Sequence, residues 1–206
     1  VIVNGRTEKR VEAAIQKIRA GVPGAKVHAL AANLGEASGI AMTIAKFPAV
    51  DILVNNLGIF DPKPFESIPD EDWFRFFEVN VMSGVRLSRH HLPRMKENNW
   101  GRILFISSES AVQIPAEMIQ YGMTKTAQLA ISRGLAETTA GTGVTVNTVL
   151  PGPTASEGVE EFVQQLAAGQ GTSRTEVEKE FFKSVRPSSL LKRFAMPEEV
   201  ANMVTY

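Results

Sequence analysis

Short hydrophobic runs rich in β-branched residues alternate along the chain with longer amphipathic stretches. The short runs predict strands over residues 1–3, 26–31, 50–54, 102–107 and 144–149. The longer stretches predict helices over residues 7–20, 36–47, 70–97, 118–140, 156–184 and 197–205. Strands that are apolar on both faces are typical of a parallel sheet covered by helices on both sides. The pattern therefore predicts an α/β fold built on a doubly wound parallel sheet.

The length of the chain predicts one domain over residues 1–206. Within it, residues 152–194 follow a Pro-Gly-Pro turn and are rich in Gly, Ser, Thr and Glu. We interpret this segment as an excursion from the sheet. It is either a lid over a substrate pocket or a surface loop with two helices.

Composition narrows the classes of partner. The chain has 22 basic and 22 acidic side chains and no long run of one sign, so neither nucleic acid nor a membrane surface is an expected partner. It has no cysteine, which excludes disulfides and thiolate catalysis and suits the cytoplasm. No metal site is expected, because the adjacent His90 and His91 diverge by about 100° on a helix.

Candidate chemistry is concentrated in the second half of the chain. Tyr121 and Lys125 stand four residues apart at the start of a predicted helix, so both lie on one face. Ser107 and Ser108 follow a predicted strand, at the edge where open α/β sheets bind ligands. Asn80 is a polar amide among apolar neighbours of another helix. Each of these residues also has a purely structural interpretation. Tyr121 would then be a surface tyrosine, Lys125 a solvated lysine, Ser108 a hydroxyl at a strand end and Asn80 a buried structural amide.

Four features, in this order and spacing, resemble the short-chain dehydrogenase/reductase family over essentially the whole chain. They are Asn55-Asn56-Leu57-Gly58 after a strand, Asn80, Ser108 with Tyr121 and Lys125, and Pro151-Gly152 after a strand. The resemblance implies a Rossmann fold, a nicotinamide cofactor and a catalytic tetrad. In that tetrad Tyr121 is the acid/base, Lys125 lowers the pKa of Tyr121, Ser108 orients the substrate, and Asn80 supports a proton-relay water that reaches Lys125.

The resemblance also implies which residues contact the cofactor. These are Arg6, Asn33, Leu34, Asn55, Asn56, Gly58, Tyr121, Lys125, Pro151, Gly152, Thr154 and Ser156. Gly5 occupies the position where an acidic side chain would grip the ribose of NAD, and the cationic Arg6 follows it. We therefore expect NADP, with NAD as the less favoured cofactor. The alternatives are a solvated Arg6 and a purely structural role for Asn55 and Asn56.

Both ends of the chain are expected to be incomplete for this architecture. Val1 already lies in a predicted strand, so the first strand and its Gly-rich, pyrophosphate-binding turn should be missing. Tyr206 ends the chain in a predicted helix, where a last buried strand should follow. We expect a longer native product and weak cofactor binding by these residues alone.

The sequence thus predicts an NADP(H)-dependent oxidoreductase that interconverts a small-molecule carbonyl and a secondary alcohol. Glu109, Val112, Gln113 and Met118 should edge the pocket together with the excursion. Association into a homo-oligomer, a dimer or a tetramer, is expected from the family. The rival hypotheses are a non-catalytic nucleotide sensor or scaffold on the same fold, and a dehydratase or epimerase of the same family.

Overall fold

The computed structural model describes all residues from Val1 to Tyr206 and contains five strands and eight α-helices. The strands are β1 Ile2–Gly5, β2 His28–Ala31, β3 Ile52–Asn55, β4 Gly101–Ile106 and β5 Val144–Val149. The helices are α1 Glu8–Gly21, α2 Ala37–Lys46, α3 Asp70–Phe77, α4 Ser83–Glu97, α5 Ile119–Thr138, α6 Glu157–Gln170, α7 Arg174–Glu180 and α8 Pro197–Thr205. No helix combines the length and apolarity needed to cross a bilayer.

All strand pairs are parallel, and they form two sheets. One sheet holds β1 and β2, and the other has the order β3-β4-β5. The predicted α/β fold with parallel strands is confirmed, and β1 does not pair with β3. On the unpaired edge of β3, Ile52 and Val54 are 55% and 43% exposed.

The larger sheet carries the main hydrophobic core. Ile103 and Phe105 of β4 are almost fully buried and pack with Met95 of α4 and with Val144 and Val146 of β5. Apolar side chains in this cluster come from two neighbouring strands and a covering helix, which is the packing that the hydrophobic runs predicted. The core fixes the carboxyl ends of β4 and β5, and the loops after these strands carry polar residues.

The predicted helix over residues 70–97 is interrupted by a π-helical turn. This turn, Glu78–Met82, separates α3 from α4 and contains the buried Asn80. Single π-helical turns inside α-helices are frequent at functional sites. The hydrophobic spacing predicted the helical stretch but gave no indication of the wider turn.

The prediction of one continuous helix over residues 156–184 is wrong. The structure has two helices, α6 and α7, followed by a π-helical turn Phe181–Val185. Gly171 ends α6 because it adopts a left-handed conformation with φ +63°. Ser173 then begins α7, where its side chain accepts a hydrogen bond from the Glu176 main-chain N–H.

The excursion over residues 152–194 has its own core and a closed base. Its core consists of Val163, Ala167, Val177, Phe182 and Phe194. At the base, the Ala155 N–H donates to the Ala195 carbonyl at 2.8 Å, and the Ala195 N–H donates to the Pro153 carbonyl at 2.9 Å. The excursion therefore leaves and rejoins the fold at one place.

The turn after β2 leaves no room for a side chain at Gly39 of α2. A Cβ atom there would lie 2.0 Å from the Asn33 main-chain oxygen. We expect Gly39→Ala to lower the free energy of unfolding by about 2–4 kcal/mol, measured by urea denaturation, because the backbone must move.

Gly158→Ala in α6 is the matched control, because no atom lies within 4 Å of its added Cβ. It should raise the free energy of unfolding by about 0.5–1 kcal/mol through helix propensity. Equal stabilities of the two variants would contradict the steric argument.

Candidate active site

The polar residues singled out in the sequence lie at the carboxyl edge of the larger sheet. Residues 55–58 begin at the last residue of β3, Ser107 and Ser108 follow β4, and Pro151 with Gly152 follow β5. Parallel strands end at the same edge, so these loops surround one crevice. The first two turns of α5 bring Tyr121 and Lys125 to this crevice.

Lys125 is a buried ammonium with identified acceptors. The residue is only 4% exposed, and its Nζ donates to the Ile106 carbonyl at 2.9 Å and to Gln128 Oε1 at 3.4 Å. Burial lowers the pKa of Lys125 to about 8, because removal from water disfavours the charged form. Ser107 supports the helix here, since its hydroxyl donates to the Lys125 main-chain oxygen at 2.9 Å.

The Tyr121 side chain lies between Lys125, Ser108 and Phe60. Lys125 Nζ is 5.5 Å from the centre of the Tyr121 ring, and Phe60 meets that ring edge-on at 6.4 Å. Burial raises the pKa of Tyr121, the Ser108 hydroxyl lowers it to a smaller extent, and the charge of Glu109 adds to the rise. Of the two serines, Ser108 is the one that interacts with the phenol, whereas Ser107 contacts the main chain of Lys125.

The expected lowering of the Tyr121 pKa by Lys125 is not found in this structure. Burial dominates and disfavours the phenolate. The Lys125 ammonium lies over the ring and donates to Ile106 and Gln128. At neutral pH the site therefore holds a phenol beside an ammonium, and the phenol carries a transferable proton.

Asn80 is fully engaged with protein groups. Its Oδ1 accepts from the Ile59 N–H at 2.7 Å, and its Nδ2 donates to the Ile59 carbonyl and to Thr124 Oγ1, both at 3.0 Å. Its main-chain oxygen accepts from Gln128 Nε2 at 2.6 Å. The Asn80 side chain thus links the loop after β3 to α5. The family resemblance had implied a different role, in which Asn80 supports a proton-relay water.

The residues after β3 fit close approach of a cofactor. A Cβ atom at Gly58 would lie 3.3 Å from Lys125 Nζ and 3.7 Å from Asn80 Oδ1, so glycine keeps this position open. Asn55 is buried and donates to Ser88 Oγ at 3.3 Å, but its Oδ1 has no partner in the protein. Asn56 is exposed beside it. A buried acceptor without a partner and an open glycine are what a bound ligand would use.

The other expected cofactor residues follow β1, β2 and β5 and differ in exposure and hydrogen bonding. Arg6 is exposed after β1, and Leu34 is half-buried after β2. The Asn33 amide is used within its own turn, where it accepts from the Gly35 N–H and donates to Glu36. Thr154 Oγ1 donates to the Gly152 carbonyl at 2.9 Å, and the exposed Ser156 immediately precedes α6.

The pocket rim is tied to the excursion by a pair of ionic contacts. Arg186 Nε lies 3.3 Å from Glu109 Oε1, and its Nη1 lies 3.2 Å from Glu117 Oε1. Ser188 donates to Gln113 Oε1 at 3.1 Å. The Glu109 N–H donates to the Pro151 carbonyl at 2.9 Å, which fixes the rim to the loop after β5.

Three residues at this site were not predicted from the sequence. Thr124 and Gln128 are buried polar side chains that contact Asn80. Gln128 could have been found, because it follows Tyr121 by seven residues and so continues the helix face of Lys125. Arg186 gave no sequence signal, since its partners lie about seventy residues away.

Comparisons with known proteins agree with this geometry. The sequence profile described as short chain dehydrogenase matches residues 1–167. The uncharacterized oxidoreductase YvaG of Bacillus subtilis is 48% identical over 206 residues, which is 100% of this chain and 78% of that protein. A second Bacillus subtilis oxidoreductase, YvrD, is 46% identical over 209 residues, again 100% of this chain and 78% of that protein.

Solved structures share the fold. The L-sorbose reductase of Gluconobacter frateurii, complexed with NADPH and L-sorbose, aligns with a TM-score of 0.89 at 26% identity over 98% of this chain and 77% of that chain. The profile covers most of the residues that form the crevice, including Asn80, Ser108, Tyr121 and Lys125. The chain therefore belongs to the short-chain dehydrogenase/reductase family of oxidoreductases.

Proposed function

We propose that this protein is an NADP(H)-dependent oxidoreductase that interconverts a carbonyl and a secondary alcohol, with Tyr121 as acid/base. The observation that carries the proposal is the side-by-side placement of the Tyr121 phenol, the Ser108 hydroxyl and the buried Lys125 ammonium at the carboxyl edge of the larger sheet. Open α/β sheets bind ligands at this edge. A proton donor, a hydrogen-bonding hydroxyl and a fixed cation are the groups that carbonyl reduction requires.

Each side chain has a distinct task in the proposed reaction. Tyr121 donates its proton to the substrate oxygen, and its raised pKa keeps it protonated until the transfer. Lys125 remains charged below about pH 8 and stabilises the phenolate that forms. Ser108 holds the substrate oxygen beside the phenol. NADPH, when bound, supplies the hydride.

The residues for the nucleotide are proposed from their position and chemistry. Lys125, Tyr121, Asn55, Asn56 and Gly58 lie around the crevice after β3 and on α5. The remaining candidates follow the other strands: Arg6, Asn33, Leu34, Pro151, Gly152, Thr154 and Ser156. The exposed guanidinium of Arg6, with Gly5 before it, favours the 2′-phosphate of NADP over NAD. Support comes from the L-sorbose reductase, whose structure contains NADPH.

The excursion is proposed as the lid of a small-molecule pocket. It carries Arg186 to the rim beside Glu109, which is the residue next to Ser108. Because its two ends are hydrogen-bonded to each other at the base, we include it in one proposed domain over residues 1–206. The cytoplasm as location and the homo-oligomer stay predictions from the sequence.

Turnover measurements separate this proposal from its rivals. Oxidation of NADPH with one ketone of a panel, or reduction of NADP with one alcohol, supports the proposal. Nucleotide binding without turnover would favour a sensor or scaffold. A product at the same oxidation level as its substrate would favour a dehydratase or an epimerase.

The first functional prediction concerns the proton donor. Tyr121→Phe should lower kcat by about 10²–10⁴-fold, because the ring is kept and only the transferable proton is lost. NADPH binding, followed by nucleotide fluorescence, should stay nearly unchanged. Tyr206→Phe is the matched control, because Tyr206 is fully exposed, and it should keep the original kcat. An unchanged kcat in Tyr121→Phe would refute the assignment.

The second functional prediction concerns the pH dependence of kcat, which we expect Lys125 to determine. Its pKa lies at about 8, so the ammonium is present below that pH and is lost above it. Reductase kcat should therefore fall as the pH rises through about 8. In Lys125→Met, kcat should be low and this step absent. The exposed Lys17 provides the control variant Lys17→Met, which should retain the step. A step that persists in Lys125→Met would contradict the role.

The third concerns cofactor choice. Arg6→Ala should weaken NADPH binding by about 1.5–3 kcal/mol, the scale of a hydrogen bond to a charged group, and should barely affect NADH. Fluorescence titration with both nucleotides measures the difference. Arg19→Ala, at the exposed far end of α1, should change neither affinity. Equal losses for the two nucleotides would assign Arg6 a structural role.

A further inference from the structure

Gln128 is the buried side chain that joins Lys125 to Asn80. The residue is 2% exposed and lies on α5, nearly one turn beyond Lys125. Its Oε1 accepts from Lys125 Nζ at 3.4 Å, and its Nε2 donates to the Asn80 main-chain oxygen at 2.6 Å. Both ends of the amide are therefore used, one by α5 and the other by the π-helical turn Glu78–Met82.

The chemistry of the two partners fixes the orientation of the amide. A main-chain carbonyl can only accept, so the NH₂ group of Gln128 must face Asn80. The carbonyl oxygen of the amide must then face Lys125, where only a donor is favourable. This acceptor stabilises the charged ammonium form of Lys125 more than the uncharged amine.

We infer that Gln128 is a positioning residue for proton transfer, which holds Lys125 charged and fixed by linking its ammonium to the Asn80 carbonyl. The inference rests on the proposed function of Tyr121 and Lys125. It assigns to a side chain of this protein the connection between Lys125 and Asn80 that the family resemblance gives to a water.

The number of donors on the ammonium supports this assignment. Of its three N–H groups, one is accepted by Ile106 and one by Gln128, which leaves one for a group in the crevice. An ammonium without acceptors in a buried site reverts to the uncharged amine. Loss of the amide should therefore make Lys125 easier to deprotonate and less sharply oriented toward Tyr121.

A purely structural amide is the alternative, and stability alone cannot distinguish it. Any polar group left unpaired by a substitution at position 128 would cost stability in either case. The direction in which the Lys125 titration moves does distinguish them. A side chain that merely packs has no reason to shift that titration when its hydrogen-bonding atoms are removed without a change of charge.

The test uses two variants that keep the length of the side chain. Gln128→Met removes both hydrogen bonds, whereas Gln128→Glu keeps an acceptor for Lys125 and adds a negative charge. Carbon-13 NMR of labelled lysine, without nucleotide, follows the Lys125 titration, and the resonance is assigned by its loss in Lys125→Met. We expect the midpoint to fall by about one pH unit in Gln128→Met and to rise by a similar amount in Gln128→Glu.

Turnover should follow the same shifts. At pH values near the original midpoint, Gln128→Met should lower kcat by about fivefold while the KM of the carbonyl substrate and the NADPH Kd change little. The pH step in kcat should move down in Gln128→Met and up in Gln128→Glu. The effect is read as a shift of the profile, which a general loss of folded protein would not produce.

Gln120→Met is the matched control. Gln120 is a fully buried glutamine on the same helix, and its Nε2 donates to the Asp61 carbonyl at 2.7 Å. This variant should lose thermal stability without moving the Lys125 midpoint. If Gln128→Met fails to fold, the Gln128→Leu titration decides in its place, with a fall supporting the inference and no change overturning it.

An unshifted or raised midpoint in Gln128→Met would overturn the inference. Failure of the proposed function is recognised separately. If Tyr121→Phe keeps its kcat, the proton-transfer site is wrong. If Tyr121→Phe loses kcat while Gln128→Met leaves the Lys125 titration midpoint unchanged, only the role of Gln128 is wrong.

Discussion

An ammonium ion that is almost fully removed from water must be surrounded by acceptors, and this constraint organises the site around Lys125. The end of β4 supplies the Ile106 carbonyl, and the next residue, Ser107, holds the helix backbone at Lys125 itself. Gln128 supplies the second acceptor and passes the connection to the π-helical turn through Asn80. Strand and helix each contribute an oxygen atom to the ammonium, and the turn contributes the carbonyl that accepts from Gln128.

The same burial acts in opposite directions on the two titratable partners. It raises the pKa of the Tyr121 phenol and lowers that of the Lys125 ammonium, because in each case the charged form loses hydration. The resting pair is therefore a neutral acid beside a cation. A site in that state is prepared to release a proton toward an oxygen that gains negative charge, and to compensate the charge left on the phenol.

The sequence predicted most of the elements well, because they depend on local patterns. Continuous apolar runs indicated β1 to β5, and the spacing of Tyr121 and Lys125 placed them on one helix face. Properties that depend on distant partners were not predictable. The direction of the Tyr121 pKa follows from burial in the assembled site, and Arg186 meets acceptors far away along the chain. The break at Gly171 depends on a left-handed conformation that its neighbours did not reveal.

The closed base of the excursion has an evolutionary consequence. Main-chain hydrogen bonds between residues 153–155 and Ala195 fasten its two ends together, and the five residues of its core all come from within the segment or its immediate flank. The length of chain between the fastened ends can change at a small entropic cost, since loop closure depends only weakly on length. Insertions and replacements in this segment can therefore accumulate without disturbing the strands or the buried lysine. The excursion and the site around Lys125 can therefore diverge at different rates.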